Sequence, residues 1–280
     1  MNDDSPLSCS QDDFSLSVLP MPLSRIVTTS WDDGDVTDLR IAALLRDRKL
    51  AGTFYVPIAG HHRSGVMGAR ELITLRTAGF EIGAHGTSHL TLPTCNREQL
   101  TREVEFCKKH LEDLLGDPVR MFAYPRGKYT NMVIQAVKRA GYAGARTTQM
   151  LVQNLAFDPY RMPTTVHVYP HSPSVYVRNA IRAADFAGAW KYLMRLRHAG
   201  SWVELSKVLF DLTLRRGGIW HLYGHSWEVD ELQLWDDLEE ILDYVSGRAD
   251  VLYLPNAAAL DMLPSQKSHL PCNDVCPSEK

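Results

Sequence analysis

The chain has 280 residues, of which 45% are hydrophobic and 22% charged, and its formal net charge is −3. These values are typical of a soluble globular protein, and the small charge excludes recognition of nucleic acid or of a membrane surface by bulk electrostatics. No apolar run reaches the ~20 residues of a membrane-spanning helix. Residues 1–5 are acidic and lack the parts of a signal peptide, which predicts a cytoplasmic location. The five cysteines, an odd number, are predicted to be reduced thiols.

Strand-like and helix-like segments alternate after a polar N-terminal arm at residues 1–19. The predicted strands are residues 25–30, 51–56, 80–84, 119–124, 142–146, 164–169, 219–225 and 251–254. The predicted helices are residues 36–49, 69–78, 97–115, 131–140 and 231–246, with a polar tail at 264–280. This alternation predicts an α/β domain over residues 20–263, a distorted (β/α) barrel of about seven parallel strands.

A helical insertion is predicted at residues 174–216, before the last barrel strand. It is basic and rich in Leu and Trp, which favours two amphipathic helices that close one side of the core. A substrate lid or an interaction surface is the alternative interpretation.

Polar side chains follow two of the predicted strands. Asp32 and Asp33 end the first, and His85 and His89 follow the third. Neighbouring residues on a strand point in different directions, so one carboxylate can coordinate a metal while the other faces a reacting centre. Capping of the helix at 36–49 is the alternative role for these aspartates, but Asp35 already serves it. Because the carboxyl ends of barrel strands share one face, these side chains are expected to form one site.

Three His-x-x-x-His pairs occur among the 11 histidines: His85/His89, His167/His171 and His221/His225. Four residues of extended strand span about 13 Å, so two imidazoles in a strand cannot both reach one ion at about 2 Å. This excludes the pair at 221/225, and Pro170 disfavours the pair at 167/171. The pair at 85/89 lies in a Gly-Thr-Ser turn leading toward a helix, where positions i and i+4 converge.

Two imidazoles and one carboxylate leave open positions for water and substrate, as a catalytic metal requires. Zinc suits this ligand set best, while manganese, iron, cobalt and nickel remain open. Such a metal lowers the pKa of bound water and polarises a carbonyl, which predicts a hydrolytic site.

Two motifs in this order resemble the polysaccharide deacetylase family, the NodB homology domain of carbohydrate esterase family 4. The stretch 30–34, Ser-Trp-Asp-Asp-Gly, looks like that family's Thr-Phe-Asp-Asp-Gly, and 85–89 looks like its His-Ser/Thr-x-x-His. The resemblance covers roughly residues 20–263. It implies that Asp32 is the general base and that Asp33, His85 and His89 hold the metal.

The third family motif, Arg-x-Pro-x-Gly, is only partly present at residues 123–127, because Ala123 occupies the Arg position. The resemblance implies that the backbone N–H of Arg126 binds the tetrahedral oxyanion. A simple turn is the alternative interpretation of this stretch. Which cation braces Asp32 stays open among Arg126, Arg146 and Arg161.

The last family motif resembles His225-Ser226-Trp227-Glu228 and implies that His225 is the general acid. His221 is predicted to be a satisfied core histidine, and His61-His62 a solvated loop pair. The residues predicted to contact substrate are Tyr124, Pro125, Tyr129, Arg161 and Trp227.

These inferences predict a metal-dependent enzyme that removes an N-acetyl group from an amino sugar or glycan precursor. The partner is then a carbohydrate, with no nucleic acid. A hydrolase of another C–N bond, amide or ureide, on the same barrel is the first alternative. A non-catalytic carbohydrate-binding relative is the second. The identity, length and carrier of the sugar and the oligomeric state stay open.

Overall fold

The computed structural model describes residues 24–59, 65–182 and 201–264. The N-terminal arm at 1–19, the pair at 61–62, the middle of the helical insertion and nearly all of the C-terminal tail lie outside these ranges. Within the described part of the chain, no helix is both long and apolar enough to cross a membrane.

Eight parallel strands form one curled sheet in the order β5-β4-β3-β2-β1-β7-β6, and short β8 pairs with the start of β1. They are β1 Arg25–Asp32, β2 Thr53–Val56, β3 Glu81–Ala84, β4 Met121–Ala123, β5 Gly144–Arg146, β6 Val166–His167, β7 Gly218–Gly224 and β8 Leu252–Tyr253. The segment before β6 bridges the two edges of the sheet. The N–H of Met162 donates to the carbonyl of Ala145 in β5 at 2.8 Å. The N–H of Thr165 donates to the carbonyl of His221 in β7, also at 2.8 Å. The predicted α/β class and distorted barrel are confirmed.

Ten helices are described around this sheet. They are α1 Asp38–Asp47, α2 Ala69–Thr77, α3 Arg97–Thr101, α4 Cys107–Leu115, α5 Asn131–Arg139, α6 Pro173–Arg182, α7 Trp202–Arg216, α8 Ser226–Glu231, α9 Trp235–Val245 and α10 Asn256–Asp261. Residues 97–115 are helical throughout, as predicted, but a π-helical turn at Arg102–Phe106 separates α3 from α4. The helix begins at Asn96, whose side chain accepts from the N–H of Gln99 at 2.9 Å.

The helix predicted at 231–246 corresponds to α9, which begins later, at Trp235. A second helix that was not predicted, α8, precedes it and begins directly after His225. The break lies around Gln233, whose φ of 53° is left-handed. The indole N–H of Trp235 donates to Asp230 Oδ1 at 3.0 Å and holds the two helices together. Because α8 begins directly after His225, the side chains of its first turn lie next to His225.

Strand β1 is buried along nearly its whole length, and its two faces differ. Val27 and Trp31 belong to the main apolar core against the helices. The opposite face carries Thr28, Ser30 and Asp32 into the barrel interior, where each finds a polar partner. Thr28 Oγ1 donates to Asn256 Oδ1 at 2.8 Å, and Ser30 Oγ lies 2.9 Å from His221 Nε2. Buried polar groups need such partners, and this polar column leads to the carboxyl ends of the strands.

Candidate active site

The carboxyl ends of three strands, β1, β3 and β7, bring the predicted residues together. Asp32 ends β1, and Asp33 follows it with a left-handed φ of 78°. His85 directly follows β3 and is almost completely buried. His225 follows β7 and caps α8. The sequence brings these groups to one place because all the strands run in the same direction.

Asp33, His85 and His89 form a cluster suited to a metal ion. Asp33 Oδ1 lies 3.5 Å from His85 Nε2 and 3.3 Å from His89 Nε2. All three ligand atoms lie within 4.8 Å of one another. These N–O separations are long for hydrogen bonds but match donors that each lie about 2 Å from a shared ion. The donor set therefore fits a divalent transition metal.

The surroundings of His85 fix the tautomer that a metal ligand needs. Its Nδ1 lies 2.9 Å from the carbonyl oxygen of Ala123. A carbonyl only accepts, so Nδ1 carries the hydrogen and the lone pair of Nε2 faces Asp33. Burial lowers the pKa of His85 and keeps the ring neutral, although Asp32 and Asp33 act in the opposite direction.

The π-helical turn holds the loop that carries these histidines. The Glu103 carboxylate accepts from the N–H of Ser88 at 3.0 Å, and the carbonyl of Arg102 accepts from Thr87 Oγ1 at 2.7 Å. Gly86 has a φ of 83°, and a Cβ there would stand 2.7 Å from Glu103 Oε2. Glycine is therefore required where the loop passes over the carboxylate. The wide turn places Glu103 under the loop, in keeping with the frequent use of such turns at functional sites.

We predict that Glu103→Gln weakens metal binding without unfolding the protein. The amide keeps the size of the carboxylate but presents one oxygen acceptor and one N–H donor to the loop. The expected loss is about 10–100-fold in affinity, as for other supports of metal ligands. Titration with zinc measures it, and Glu105→Gln, an exposed position on the same turn, is the control. Unchanged affinity would show that the loop holds its shape without Glu103.

Arg146 is the cation that pairs with Asp32. This decides among the three arginines that the sequence left open. It is the last residue of β5, it is fully buried, and its guanidinium donates to Asp32 Oδ1. It lies between the rings of Tyr55 and Tyr223, 5.2 and 5.1 Å from their centroids. Strand β5 thus supplies the cation that the family motif would place at Ala123.

Neither of the other two arginines forms an ion pair with Asp32. The side chains of Arg126 and Arg161 are exposed, and Arg161 donates to Asn131 Oδ1 at 3.1 Å. Burial by itself raises the pKa of Asp32, but the charge of Arg146 and its hydrogen bond outweigh it and hold this pKa well below its usual range. Asp32 is therefore ionised at neutral pH.

His225 faces the two aspartates from the opposite side of the site. Its Nε2 lies 4.0 Å from Asp32 Oδ2 and 3.8 Å from Asp33 Oδ2. Its Nδ1 lies 2.6 Å from Glu228 Oε2, one turn along α8. Burial lowers the pKa of His225, but the hydrogen bond to Glu228 and the charge of Asp32 outweigh it and raise this pKa to about 9. The ring is therefore protonated near neutral pH and can donate a proton.

His221 lies deeper in the barrel than His225. Its Nε2 lies 2.9 Å from Ser30 Oγ, and its Nδ1 lies 2.9 Å from the carbonyl of Pro163. Burial and the charge of Arg146 lower its pKa to about 3. Its position fits the predicted satisfied core histidine.

The residues predicted to contact substrate lie in different environments. Trp227 donates its indole N–H to Asp33 Oδ2 at 3.1 Å and borders the site. Pro125 is buried beside Gly86, and half-buried Tyr129 stacks on Tyr124 with centroids 4.8 Å apart. The prediction for Tyr124 needs correction. Its ring is fully buried because it packs in the aromatic core. Its hydroxyl donates to the carbonyl of Tyr160 at 3.0 Å.

Sequence reasoning missed three residues at the site: Glu103, His167 and Glu228. Glu228 stands three residues after His225, a spacing that brings side chains together only on a helix. The sequence analysis predicted no helix at residues 226–231, so the signal went unused. His167 was rejected because its spacing to His171 is unsuited to chelation, although a direct hydrogen bond between the two rings was still possible.

A family model described as polysaccharide deacetylase matches residues 22–145 of the chain. The resemblance predicted from the sequence motifs is confirmed, and hydrolytic deacetylation is the class of reaction that it supports. No curated protein matches the chain.

Solved structures of the family share the fold at low identity. The Xyl-CE4 domain of a multidomain xylanase from the hindgut metagenome of Trinervitermes trinervoides is 12% identical, with 85% of this chain and 90% of that chain covered and a TM-score of 0.53. A family 4 carbohydrate esterase from Streptomyces lividans, in complex with acetate, is 13% identical, with 82% and 92% covered and a TM-score of 0.51. A Streptococcus pyogenes deacetylase in complex with acetate is 18% identical, with 49% of this chain covered and a TM-score of 0.45. This chain spans 63% of that protein, less than two thirds of its length.

Proposed function

We propose that the protein is a metal-dependent hydrolase that removes the N-acetyl group from an amino sugar or a glycan precursor. One observation carries the proposal: an ionised carboxylate and a protonated imidazole flank a cluster that fits a metal. Asp32 Oδ2 lies 3.7 Å from His85 Nε2 in that cluster and 4.0 Å from His225 Nε2. A base, an acid and a metal site next to one another are what amide hydrolysis requires.

The residues of this chain have separate roles in such a reaction. A divalent metal held by Asp33, His85 and His89 would polarise the acetyl carbonyl and lower the pKa of a bound water. Asp32 takes the proton of the attacking water, and Arg146 holds the carboxylate ionised and in place. The backbone N–H of Arg126, whose φ of 56° is left-handed, is proposed to stabilise the oxyanion. His225 then protonates the amine as acetate leaves.

Two alternatives follow from the same fold. Hydrolysis of another amide or ureide C–N bond would use the same base, metal and acid, and differs only in the group that the site accepts. A non-catalytic sugar-binding relative has no need of a buried Arg146 paired with Asp32, since desolvating such a pair is costly. The intact set of groups therefore favours an enzyme.

Acetate release from a panel of substrates tests the proposal. The panel contains N-acetylated monosaccharides, nucleotide sugars and oligosaccharides, together with amides and ureides that lack a sugar. We expect release from at least one N-acetyl sugar, and only with metal present. Hydrolysis of a ureide or of a sugar-free amide alone would favour the first alternative. No hydrolysis of any member would favour the second.

We predict that the variant Asp33→Ala/His85→Ala/His89→Ala binds no metal. Each substitution removes one donor, and the three together remove the whole ligand set. Elemental analysis of the purified, folded variant measures the metal. The control is His110→Ala, a histidine on α4 outside the cluster, which should retain wild-type content. Full retention of metal by the triple variant would remove the assignment of these ligands.

A further inference from the structure

The pair His167/His171 is joined by a direct hydrogen bond next to the site. His167 Nδ1 lies 2.8 Å from His171 Nε2. The ring of His167 also stacks on Tyr223, with centroids 4.2 Å apart, and on Tyr169 at 5.6 Å. His167 is therefore held by two stacked aromatic rings and by a hydrogen bond at its edge.

The other nitrogen of His167 faces the carboxylate that holds His225. His167 Nε2 lies 3.2 Å from Glu228 Oε2, the same oxygen that lies 2.6 Å from His225 Nδ1. Burial raises the pKa of Glu228, but the neighbouring imidazoles of His167 and His225 outweigh it and lower this pKa to about 2. Glu228 is therefore an anion that two imidazoles share.

The chemistry of these groups allows one placement of the hydrogens. An ionised carboxylate only accepts, so His167 must carry its hydrogen on Nε2. Its Nδ1 is then an acceptor, and His171 must carry a hydrogen on Nε2 to donate to it. Burial lowers the pKa of His167 and that of His171, the latter to about 4. Both rings are therefore neutral near pH 7.

A second metal ion is the other occupant that this cluster suggests, since His167, His225 and Glu228 have ligand atoms within 4.8 Å of one another. The distances argue against it. Ligand atoms about 2 Å from a shared tetrahedral ion lie roughly 3.3 Å apart, whereas His225 Nδ1 and Glu228 Oε2 are 2.6 Å apart. That separation belongs to a charge-assisted hydrogen bond. The cluster around Asp33, at 3.3 and 3.5 Å, shows the opposite pattern.

We propose that His171 and His167 are positioning residues that fix the orientation of Glu228 and, through it, of the ring of His225. The chain of donors runs from His171 to His167 to Glu228, and His225 donates to the same carboxylate from the other side. This leaves Nε2 of His225 directed at the aspartates. The inference rests on the proposed function for the role of His225, whereas the hydrogen placement is tested independently of that function.

The hydrogen placement is tested first on the wild-type protein labelled with ¹⁵N-histidine. Two-bond ¹H–¹⁵N spectra distinguish a protonated ring nitrogen from a bare one. We expect Nε2 of His167 to be protonated and Nδ1 to be bare, with assignment by the loss of signals in His167→Gln. A hydrogen on Nδ1 of His167 with a bare Nε2 would overturn the proposal.

The kinetic test compares His171→Leu with His171→Gln, because the glutamine retains an N–H donor near the position of Nε2. We expect His171→Leu to lose about tenfold in kcat on an N-acetyl substrate, part of the about 10²–10⁴-fold that a positioned acid supplies. KM and the hydrolysis of an aryl acetate, whose leaving group needs no acid, should change less than about twofold. His171→Gln should restore most of kcat.

Equal losses by His171→Leu on the amide and on the aryl ester would show a structural effect and contradict the proposal. A His171→Gln variant as impaired as His171→Leu would do the same. If the wild-type protein releases no acetate from any N-acetyl sugar, the proposed function fails, and the ¹⁵N spectra still decide the hydrogen placement.

Discussion

Asp32→Asn is expected to abolish turnover while the metal stays bound. Asparagine preserves the shape of the side chain but cannot take a proton from water. Asp33, His85 and His89 are unchanged, so metal content should match that of the wild-type protein. Initial rates of acetate release and elemental analysis on one preparation measure both quantities. Activity within about tenfold of wild type would place less than roughly 1.4 kcal/mol of the barrier on Asp32 and would assign the base elsewhere.

The partner of Asp32 requires a second variant in this experiment. Asp32→Asn leaves the fully buried Arg146 without its counter-charge, and breaking a buried pair costs about 3–5 kcal/mol. The double variant Asp32→Asn/Arg146→Met removes the unpaired charge and is expected to recover much of the lost thermal stability. It should remain inactive. Loss of activity by Asp32→Asn that the double variant restored would indicate misfolding as the cause and not the missing base.

His225→Ala is expected to be far more damaging to catalysis than His221→Ala. His225 Nε2 faces the aspartates, whereas both ring nitrogens of His221 are used by Ser30 and Pro163 inside the barrel. The acid acts when the tetrahedral intermediate collapses, so the loss should fall on kcat, by about 10²–10⁴-fold. An aryl acetate should rescue His225→Ala in part, since its leaving group needs no proton.

The effects on stability should follow the opposite order, with His221→Ala the less stable of the two variants. His221→Ala leaves buried polar partners unsatisfied, at about 1–3 kcal/mol each. His225 lies at the end of β7, next to the site, and its removal should cost less. Rates are therefore compared per folded molecule, with urea unfolding as the measure of stability. Equal defects in kcat, or a defect of His225→Ala confined to KM, would move the acid role away from His225.

The parallel barrel and the candidate metal cluster could be predicted because each depends on residues that are close together in the sequence. Strand–helix alternation indicates parallel strands, and the carboxyl ends of such strands meet at one face. The pairs Asp32-Asp33 and His85/His89 each lie within one short segment, so their spacing already limits their geometry.

The groups that support these residues were harder to predict because they come from distant parts of the chain. Arg146 lies 114 positions from Asp32, and nothing in its own neighbourhood distinguishes it from Arg126 or Arg161. The side chain of Glu103 reaches the loop that carries His85 and His89 because a π-helical turn shifts its direction within an otherwise regular helix. Long-range contacts of this kind follow from the packing of the sheet and not from sequence spacing.

Metal titration of the stripped protein tests the central claim most directly. The protein is freed of metal with a chelator, and zinc is added in steps while acetate release from an N-acetylated amino sugar is followed. We expect no release without metal, a linear rise up to one equivalent per chain, and no response from the triple variant at Asp33, His85 and His89. Full acetate release by the metal-free protein would contradict the account.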